Sequence, residues 1–477
     1  MLWGSPWEAA NLSPNRSRLN VGSPTDFKHE HSSWTREELV RNMRYLAKNS
    51  GFVREYRNTV ARYSAPVRPQ SLVEDEAWRT EAEALYADRR RVADVTARLS
   101  GEKIQNLISK AIDTDGEIFI LKTLDRATRL PKLQLIECHR VGDFEGGRND
   151  TLDGFKLNSQ GRAVAIQVQQ DNGKGRLIPM RGVMHIADHE SASAMRGVPT
   201  LSHAINHRLD VEELLALEKK GVKDNAEIAR IIRLAGGAEL DDEELADMLG
   251  GTQDEDAERT DPSALAKILG GKAVALQEGE DIESFQSQRP NPTFTGFLDH
   301  LDRESAMGGW AYEFFVNPSG INAGAVRLIL ERVDRAAAER SQLILDKFLR
   351  PDWFFVIGTA IDNGELKPIK NWHKITGSFP KRPTVDAGRN EESIRRSIDK
   401  GLISPSEAVA ERGKSFAEVI EATAQDIKTV EKIAKRYGCN PDHLFQFNAA
   451  GRAPAQGIAG TAPSAKPPKE DDYKKKK

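Results

Sequence analysis

From Pro199 onward, Leu209, Leu214, Leu217, Val222, Ile228 and Ile232 keep a helical register for about 35 residues, roughly 50 Å of helix at 1.5 Å per residue. Gly221 is the one place where this run is expected to kink. The segment that follows, Gly236 to Glu280, is acidic and punctuated by glycine, with clusters at Asp241, Asp242, Glu243, Glu244 and at Asp254, Glu255, Asp256. Helical character returns from Thr293 to Met307, gives way to an aromatic, Pro-containing stretch through Gly320, and resumes from Asn322 to Leu349. Two helices that flank an insert can run antiparallel and project it from one end, and copies packed around an axis would line a tube.

The other segments are read in the same way. Residues 1–33 carry little apolar periodicity and are expected to form an arm outside the core. A helix pair begins at Ser33/Thr35 with Leu39, Met43 and Leu46, breaks near Gly51, and continues through Phe52, Tyr56 and Val60. Helices are predicted over Asp75–Ala97 and Lys103–Ile112. Between Asp115 and Ile186 the period shortens, with extended runs at Glu117–Leu124, Leu133–Glu137, Ala163–Gln169 and Gly182–Ile186, which predicts a β-rich module. Pro351 is expected to close the long helix, ahead of a short hydrophobic element at Trp353–Ile361. Two or three helices follow between Glu391 and Tyr437. The Ala/Gly/Pro-rich end, closing on four lysines, lacks the apolar area to offset ordering entropy. The fold class is therefore α+β, with no internal repeat and no heptad array.

Composition narrows function. The 69 basic and 72 acidic residues give a net charge of −3, which argues against a protein that grips phosphate along a basic face. Cys138 and Cys439 stand alone, a pattern that fits a reducing compartment and two buried thiols. Met1–Ala10 lacks the features of a signal peptide, and no apolar run approaches the ~18 residues of a membrane span.

Chemical constellations are few. Asp113, Asp115 and Glu117 around Gly116 could hold a hard cation, but no full calcium loop follows, and a turn leading into a strand is preferred. His185, Asp188 and His189, or His203 and His207 at i and i+4, could be metal ligands; position 204 is Ala, no third ligand is evident, and no metal is assigned. The acidic clusters at 241–256 could serve a two-metal nuclease, but one continuous charge run reads more simply as a solvated or partner-facing surface. There is no Walker-type phosphate loop, no catalytic residue is assigned and no cofactor is expected. Arg327, Arg332, Arg335 and Arg340, with Glu331, Asp334 and Glu339, stud the long helix and could pair within or between subunits.

Several strings, in order, carry a family likeness: Arg44-Tyr45-Leu46-Ala47-Lys48-Asn49; Asp113–Phe119 (DTDGEIF); Leu135-Ile136-Glu137 with Arg140-Val141; Asp153-Gly154-Phe155 followed by Gly161-Arg162; and Val183-Met184-His185 with Arg196-Gly197-Val198-Pro199. Further on come Leu276–Asp281 (LQEGED), Arg289-Pro290 with Phe294 and Phe297, and Asn322-Ala323-Gly324-Ala325-Val326-Arg327. With this spacing the chain resembles the lambda-type portal proteins of tailed bacteriophages over most of residues 35–440. It departs from them at Phe314-Phe315-Val316-Asn317-Pro318-Ser319, where the family usually has a Gly-Val-Pro type start.

The resemblance implies a non-enzymatic ring, usually of twelve subunits, at one capsid vertex, through which double-stranded DNA is packaged and ejected. It implies a virion protein that assembles in the host cytoplasm with terminase large subunit, head-tail adaptor, major capsid and scaffold proteins as partners, and no membrane. Terminase would supply the motor. On this layout residues 1–33 are an arm, 34–197 the wing, 198–234 a stem helix, 235–291 the clip, and 292–309 the second stem helix. Residues 310–322 are the tunnel loop, 323–387 the long wing helix and its sequel, 388–440 the crown, and 441–477 a disordered tail. The implied sites are Asn317, Pro318, Ser319, Gly320 and Asn322 facing DNA, Asp241, Asp242, Glu243 and Glu244 docking terminase or adaptor, and Arg327, Arg332 and Arg335 between subunits. The rivals are a metal-dependent DNA-processing enzyme such as a nuclease, with carboxylates from Asp113, Asp115, Glu117 and the insert, and another head-tail connector.

Overall fold

The computed structural model describes residues 25–144, 150–227, 231–233, 274–276, 294–306, 310–315, 323–381, 387–410, 412 and 416–444. The chain divides into two units, Met1–Gly413 and Lys414–Lys477.

In the first unit, α1 (Phe27–Glu30) precedes the predicted helix pair, α2 (Ser33–Asn49) and α3 (Gly51–Ser64). α2 starts where it does because Ser32 Oγ accepts the Thr35 backbone N–H at 3.2 Å, satisfying one of the amides a helix start leaves unpaired. Strand β1 (Arg68–Ser71) is followed by α4 (Glu76–Arg89) and α5 (Gly101–Thr114), capped in the same way by Asp75 and Ser100. α4 stops at Arg89 rather than running on to Ala97. There Arg90 turns inward onto Asp352, and Asp94 gathers the amides of Thr96, Arg98 and Leu99 into a tight turn.

The β-rich module consists of two three-stranded antiparallel sheets. β3 (Pro131–Glu137), β2 (Glu117–Leu124) and β7 (Val183–Ala187) form one, and β4 (Phe155–Leu157), β5 (Ala163–Gln169) and β6 (Gly175–Pro179) the other. The central strand β2 is buried over Glu117–Ile120, which explains its continuous apolar run.

α6 (Ile205–Glu227) follows, passing through Gly221 without a break, and α7 (Phe294–Ala306) packs beside it. The predicted helix to residue 234 is overturned at its end: Ile231–Arg233 forms strand β8, paired in parallel with β9 (Val274–Leu276). Two β-branched residues at 231 and 232 favour the extended form.

The short α8 (Tyr312–Phe315) leads towards α9 (Ala323–Ile344). Pro351 does not end the long helix. A π-helical turn at Leu345–Leu349 runs directly into α10 (Arg350–Asp362), with Ile344 and Arg350 both keeping helical dihedrals. Proline removes one amide donor and crowds the carbonyl four residues back, and the wider π turn provides room at that point, leaving Pro351 in the first turn of α10 where its missing N–H costs least. The helical path over 323–362 is about 60 Å long.

β10 (Ile375–Ser378) returns to pair antiparallel with β1, so segments some 300 residues apart close the unit. α11 (Ala387–Asp399) and α12 (Pro405–Ala410) complete its described part.

Among the described residues, three clusters form the core. The largest joins Ile104, Ile108 and Ile112 of α5 to Ile120, Leu133, Phe348, Trp353 and Ile357. A second unites Met43, Leu46, Tyr56, Ile205, Trp310, Val333 and Ala337, and a third lies between the sheets around Phe119, Phe155 and Ile166.

The second unit contains α13 (Phe416–Tyr437) and α14 (Pro441–Leu444). Cys439 is exposed, contrary to the expectation of two buried thiols, because it follows the left-handed Gly438 that ends α13; Cys138 is buried as expected.

Candidate functional site

The sequence singled out Asp113, Asp115 and Glu117 for their spacing. They sit where α5 hands over to β2 through Gly116, and a different arginine engages each of them. Asp113 Oδ1 accepts Arg340 Nη2 at 3.0 Å, Asp115 takes the Arg44 guanidinium through both oxygens at 2.9 and 2.5 Å, and Glu117 Oε1 accepts Arg196 Nε at 2.6 Å. These carboxylates are structural anchors that bring α9, α2 and the segment before α6 onto one turn.

Glu117 is the centre of the hub. His185 Nε2 lies 2.8 Å from its Oε2, and the Gly197 amide donates to the same oxygen at 3.1 Å. The His185 ring stacks on Phe119 with centroids 4.5 Å apart, and the Arg196 guanidinium lies over Phe119 and Phe155. Arg196 also donates to the carbonyls of Cys138, Val141 and Asp153. Burial alone would raise the Glu117 carboxyl, but Arg196 and His185 together hold it well below the usual carboxylate range. At Asp113 burial outweighs Arg340 and the carboxyl is raised; its Oδ2 has no hydrogen-bond partner among the described residues.

Backbone contact requires glycine here. Gly116 has φ +79°, and a Cβ on it would lie 2.5 Å from the Val198 carbonyl carbon; a Cβ on Gly197 would come 2.1 Å from the Gly116 oxygen. The strings Asp113–Phe119, Asp153-Gly154-Phe155, Val183-Met184-His185 and Arg196-Gly197-Val198-Pro199 thus meet in space, with Arg44 from a fifth. Asp153 adds a bidentate link to Arg36 at 3.0 and 2.9 Å.

Arg340 was grouped with the surface arginines of the long helix. It is instead buried, donating to Asp113 and to the Ser109 carbonyl, because the α9 face carrying Val333, Ala337, Arg340 and Ile344 points inward. Arg327, Arg332 and Arg335 occupy the opposite, exposed face. There Leu328, 71% exposed, lies with Glu331, Arg332, Arg335 and Glu339 along a groove of about 460 Å³. Arg335 pairs with Glu331 at 2.6 Å.

The loop residues Asn317, Pro318, Ser319, Gly320 and Asn322, and the acidic residues Asp241, Asp242, Glu243 and Glu244, lie outside the described residues. Their flanks are described. Before the loop, Trp310, Phe314 and Phe315 pack edge-on or tilted against Tyr56, Tyr63 and Phe52 at centroid distances of 5.2–6.5 Å. After it, α9 enters the same cluster through Val333 and Ala337. Around the acidic segment, Arg208 near the start of α6 is ion-paired with Asp302 near the end of α7, so these helices run antiparallel. Arg208 also lies over the Phe52 ring, 4.4 Å from its centroid. Tyr312 donates to Asp299 at 2.7 Å, and burial with that bond pushes its hydroxyl up to about 12.

Sequence reasoning missed Asp352. It is fully buried at the start of α10 and accepts Arg90 through both oxygens at 2.8 and 2.6 Å and Tyr86 Oη at 2.7 Å. The only signal was an acid beside Pro351 in an otherwise apolar run.

The hub spends Asp113, Asp115 and Glu117 on three different arginines, holding the junction of α5 and β2 against α9, α2 and the segment before α6. The family model for phage portal proteins of the lambda family matches residues 22–333, and the chain belongs to that family. It is a structural portal protein of the capsid vertex. No curated protein matches its sequence. Among solved structures it is similar to a chain from the neck of an empty GTA particle computed with C6 symmetry, at 14% identity and TM-score 0.48, covering 81% of this chain and 96% of that one. A chain from the neck of the native GTA particle computed with C12 symmetry gives 14% and 0.47, covering 79% and 92%. One from the virion of a native gene transfer agent particle gives 16% and 0.43, covering 79% and 93%.

Proposed function

We propose that the chain assembles as a ring, usually of twelve copies, and acts as a passive conduit and docking platform while terminase supplies force. Family membership over residues 22–333 carries this reading, and the antiparallel α6/α7 pair supports the layout, since it would project residues 228–293 from one end. In this layout residues 34–197 are the wing, α6 and α7 the stem, 235–291 the clip and 388–440 the crown, the last spanning the boundary between the two units. Asn317, Pro318, Ser319, Gly320 and Asn322 line the channel and touch phosphates weakly, because a strongly basic collar would hold the duplex. Asp241, Asp242, Glu243 and Glu244 steer a basic face of terminase or adaptor. Arg327, Arg332 and Arg335 face the neighbouring subunit. The ring belongs to the virion, is assembled in the host cytoplasm with capsid and scaffold proteins, and has no catalytic activity of its own.

Negative-stain imaging of the purified chain should show rings with a central hole; compact single subunits under capsid-assembly conditions would refute it. Deleting residues 317–322 should leave the ring intact and impair packaging or retention of DNA. Loss of the ring would mean that the loop has been wrongly placed.

A further inference from the structure

Residues 25–31 lie against the arginine-carboxylate hub and are held there through a ring that can take a proton. α1 is four residues long, and its turn is closed by the amides of His29 and Glu30 on the Asp26 carbonyl and of His31 on the Phe27 carbonyl. A helix this short does not persist alone, so it forms only where something outside it holds it in place. The Phe27 amide donates to Ser193 Oγ at 2.9 Å, and the half-buried Phe27 ring lies tilted beside the His31 ring, with centroids 5.7 Å apart. Among the described side chains from residue 25 to residue 35, His31 is the only buried one, at 7% exposure. The hold on this segment therefore passes through an imidazole.

The surroundings of that imidazole suit its neutral form. Nε2 is buried and has no hydrogen-bond partner among the described residues. An imidazolium carries N–H at both nitrogens, so protonation would place a charged, buried donor where it finds no acceptor. The charged groups facing the ring are Arg36 of α2, Glu117 of β2, Asp153 ahead of β4 and Arg196 ahead of α6, while Asp26, His29 and Glu30 of the arm itself are exposed. Both facing carboxylates are already committed: Glu117 to Arg196, His185 and the Gly197 amide, and Asp153 to Arg36 and Arg196. Burial holds the imidazole below its usual range; Glu117 and Asp153 pull it up, and Arg196 and Arg36 push it down.

We propose that α1 is an acid-released latch, seated on the hub while the His31 ring is neutral and set free when the ring takes a proton. Because the seated ring favours the neutral form, docking is at full strength above the ordinary histidine value of 6.5 and weakens as pH falls from there towards the lower value of the seated ring. Between pH 7.5 and 5.5 the docking constant should fall by up to about tenfold. Glu117, held well below the usual carboxylate range, stays ionised throughout, so the hub remains in place while the latch opens.

Hydrogen exchange of the full chain, corrected for the intrinsic rate at each pH, tests this. In the wild type, protection at His29, Glu30 and His31 should fall by up to about tenfold from pH 7.5 to 5.5, while Val40 and Met43 in α2 keep theirs. His31→Phe keeps a ring beside Phe27 and removes the titration, so its α1 should stay protected at the lower pH; His31→Leu serves if the phenyl group leaves α1 unprotected already at pH 7.5. Ser193→Ala removes the acceptor of the Phe27 amide and should lower protection at every pH without changing the slope. Wild-type protection that stays flat overturns the proposal. So does a pH dependence that survives without His31, which would pass the role to His185 or His189, and so does a parallel loss of protection in α2, which would mean acid unfolding of the hub. The latch does not rest on the portal reading, and the test gives the same answer whether or not the chain assembles into rings.

Discussion

Replacing Glu117 by Gln removes one charge from the centre of the hub while keeping the shape of the side chain. The perturbation is severe because the Glu117 and Arg196 side chains are 0% and 2% exposed, so the guanidinium has no water to fall back on. Breaking a buried pair from one side costs about 3–5 kcal/mol. Arg196 keeps three carbonyl acceptors and a second carboxylate, Asp153, at 3.3 Å, which places the expected loss near the lower end, about 3 kcal/mol. Urea titration at pH 7 should show this as a lower midpoint at unchanged slope. The pH dependence has a definite sign. The folded Glu117 carboxyl lies below its ordinary value of 4.5, so its contribution is complete above that value and is lost as pH falls towards the folded pKa. The difference between wild type and E117Q should therefore narrow below about pH 4.5. In a double-mutant cycle, E117Q and R196Q should couple by roughly 1–3 kcal/mol. A cost below ~1 kcal/mol for E117Q at pH 7, or additivity in the cycle, would refute the account of the hub.

Trp353→Ala, at a fully buried indole whose Nε1 donates to the Trp372 carbonyl at 3.0 Å, should cost about 3–5 kcal/mol by denaturant midpoint. Gly197→Ala should be as damaging as a core truncation, since its methyl would strike the Gly116 carbonyl; a soluble variant with wild-type melting behaviour would contradict the close approach. Arg332→Glu/Arg335→Glu should change the stability of the isolated chain by less than about 0.5 kcal/mol per site yet lower the particle mass measured by sedimentation, if the exposed face of α9 meets a neighbour. Under native conditions a thiol reagent should label Cys439 rapidly and Cys138 only on unfolding, because Cys138 is buried and its thiol is raised by that burial and by nearby Asp115 and Glu117.

Periodicity made most of the helices and the central strands legible before any coordinates. The apolar stripe Ile104, Ile108, Ile112 and the run from Glu117 to Leu124 each have one dominant period, and each formed as read. Failures came where a non-local contact overrode a local signal. Pro351 reads as a stop, but the π turn before it and the buried Asp352 with Arg90 and Tyr86 keep the helix going. Ile231 and Ile232 fit a helical register and are strand residues because Val274 and Ala275 pair with them. The spacing of Asp113, Asp115 and Glu117 flagged a place that matters. It could not report that three arginines, 71 to 227 residues away, would converge there, or that Arg196, 79 residues on, would be the central one. The family strings were individually weak because each contributes only one wall of that junction.

The unbroken helical path from residue 323 to residue 362 has a mechanical meaning. Its first turns adjoin the segment 316–322, and its last carry Trp353 and Ile357 deep inside the largest core cluster. The backbone keeps helical dihedrals at Ile344 and Arg350 on either side of the π turn, so the path is continuous past Pro351. A tug on its tip would therefore be carried along one continuous backbone into the largest core cluster of the protomer.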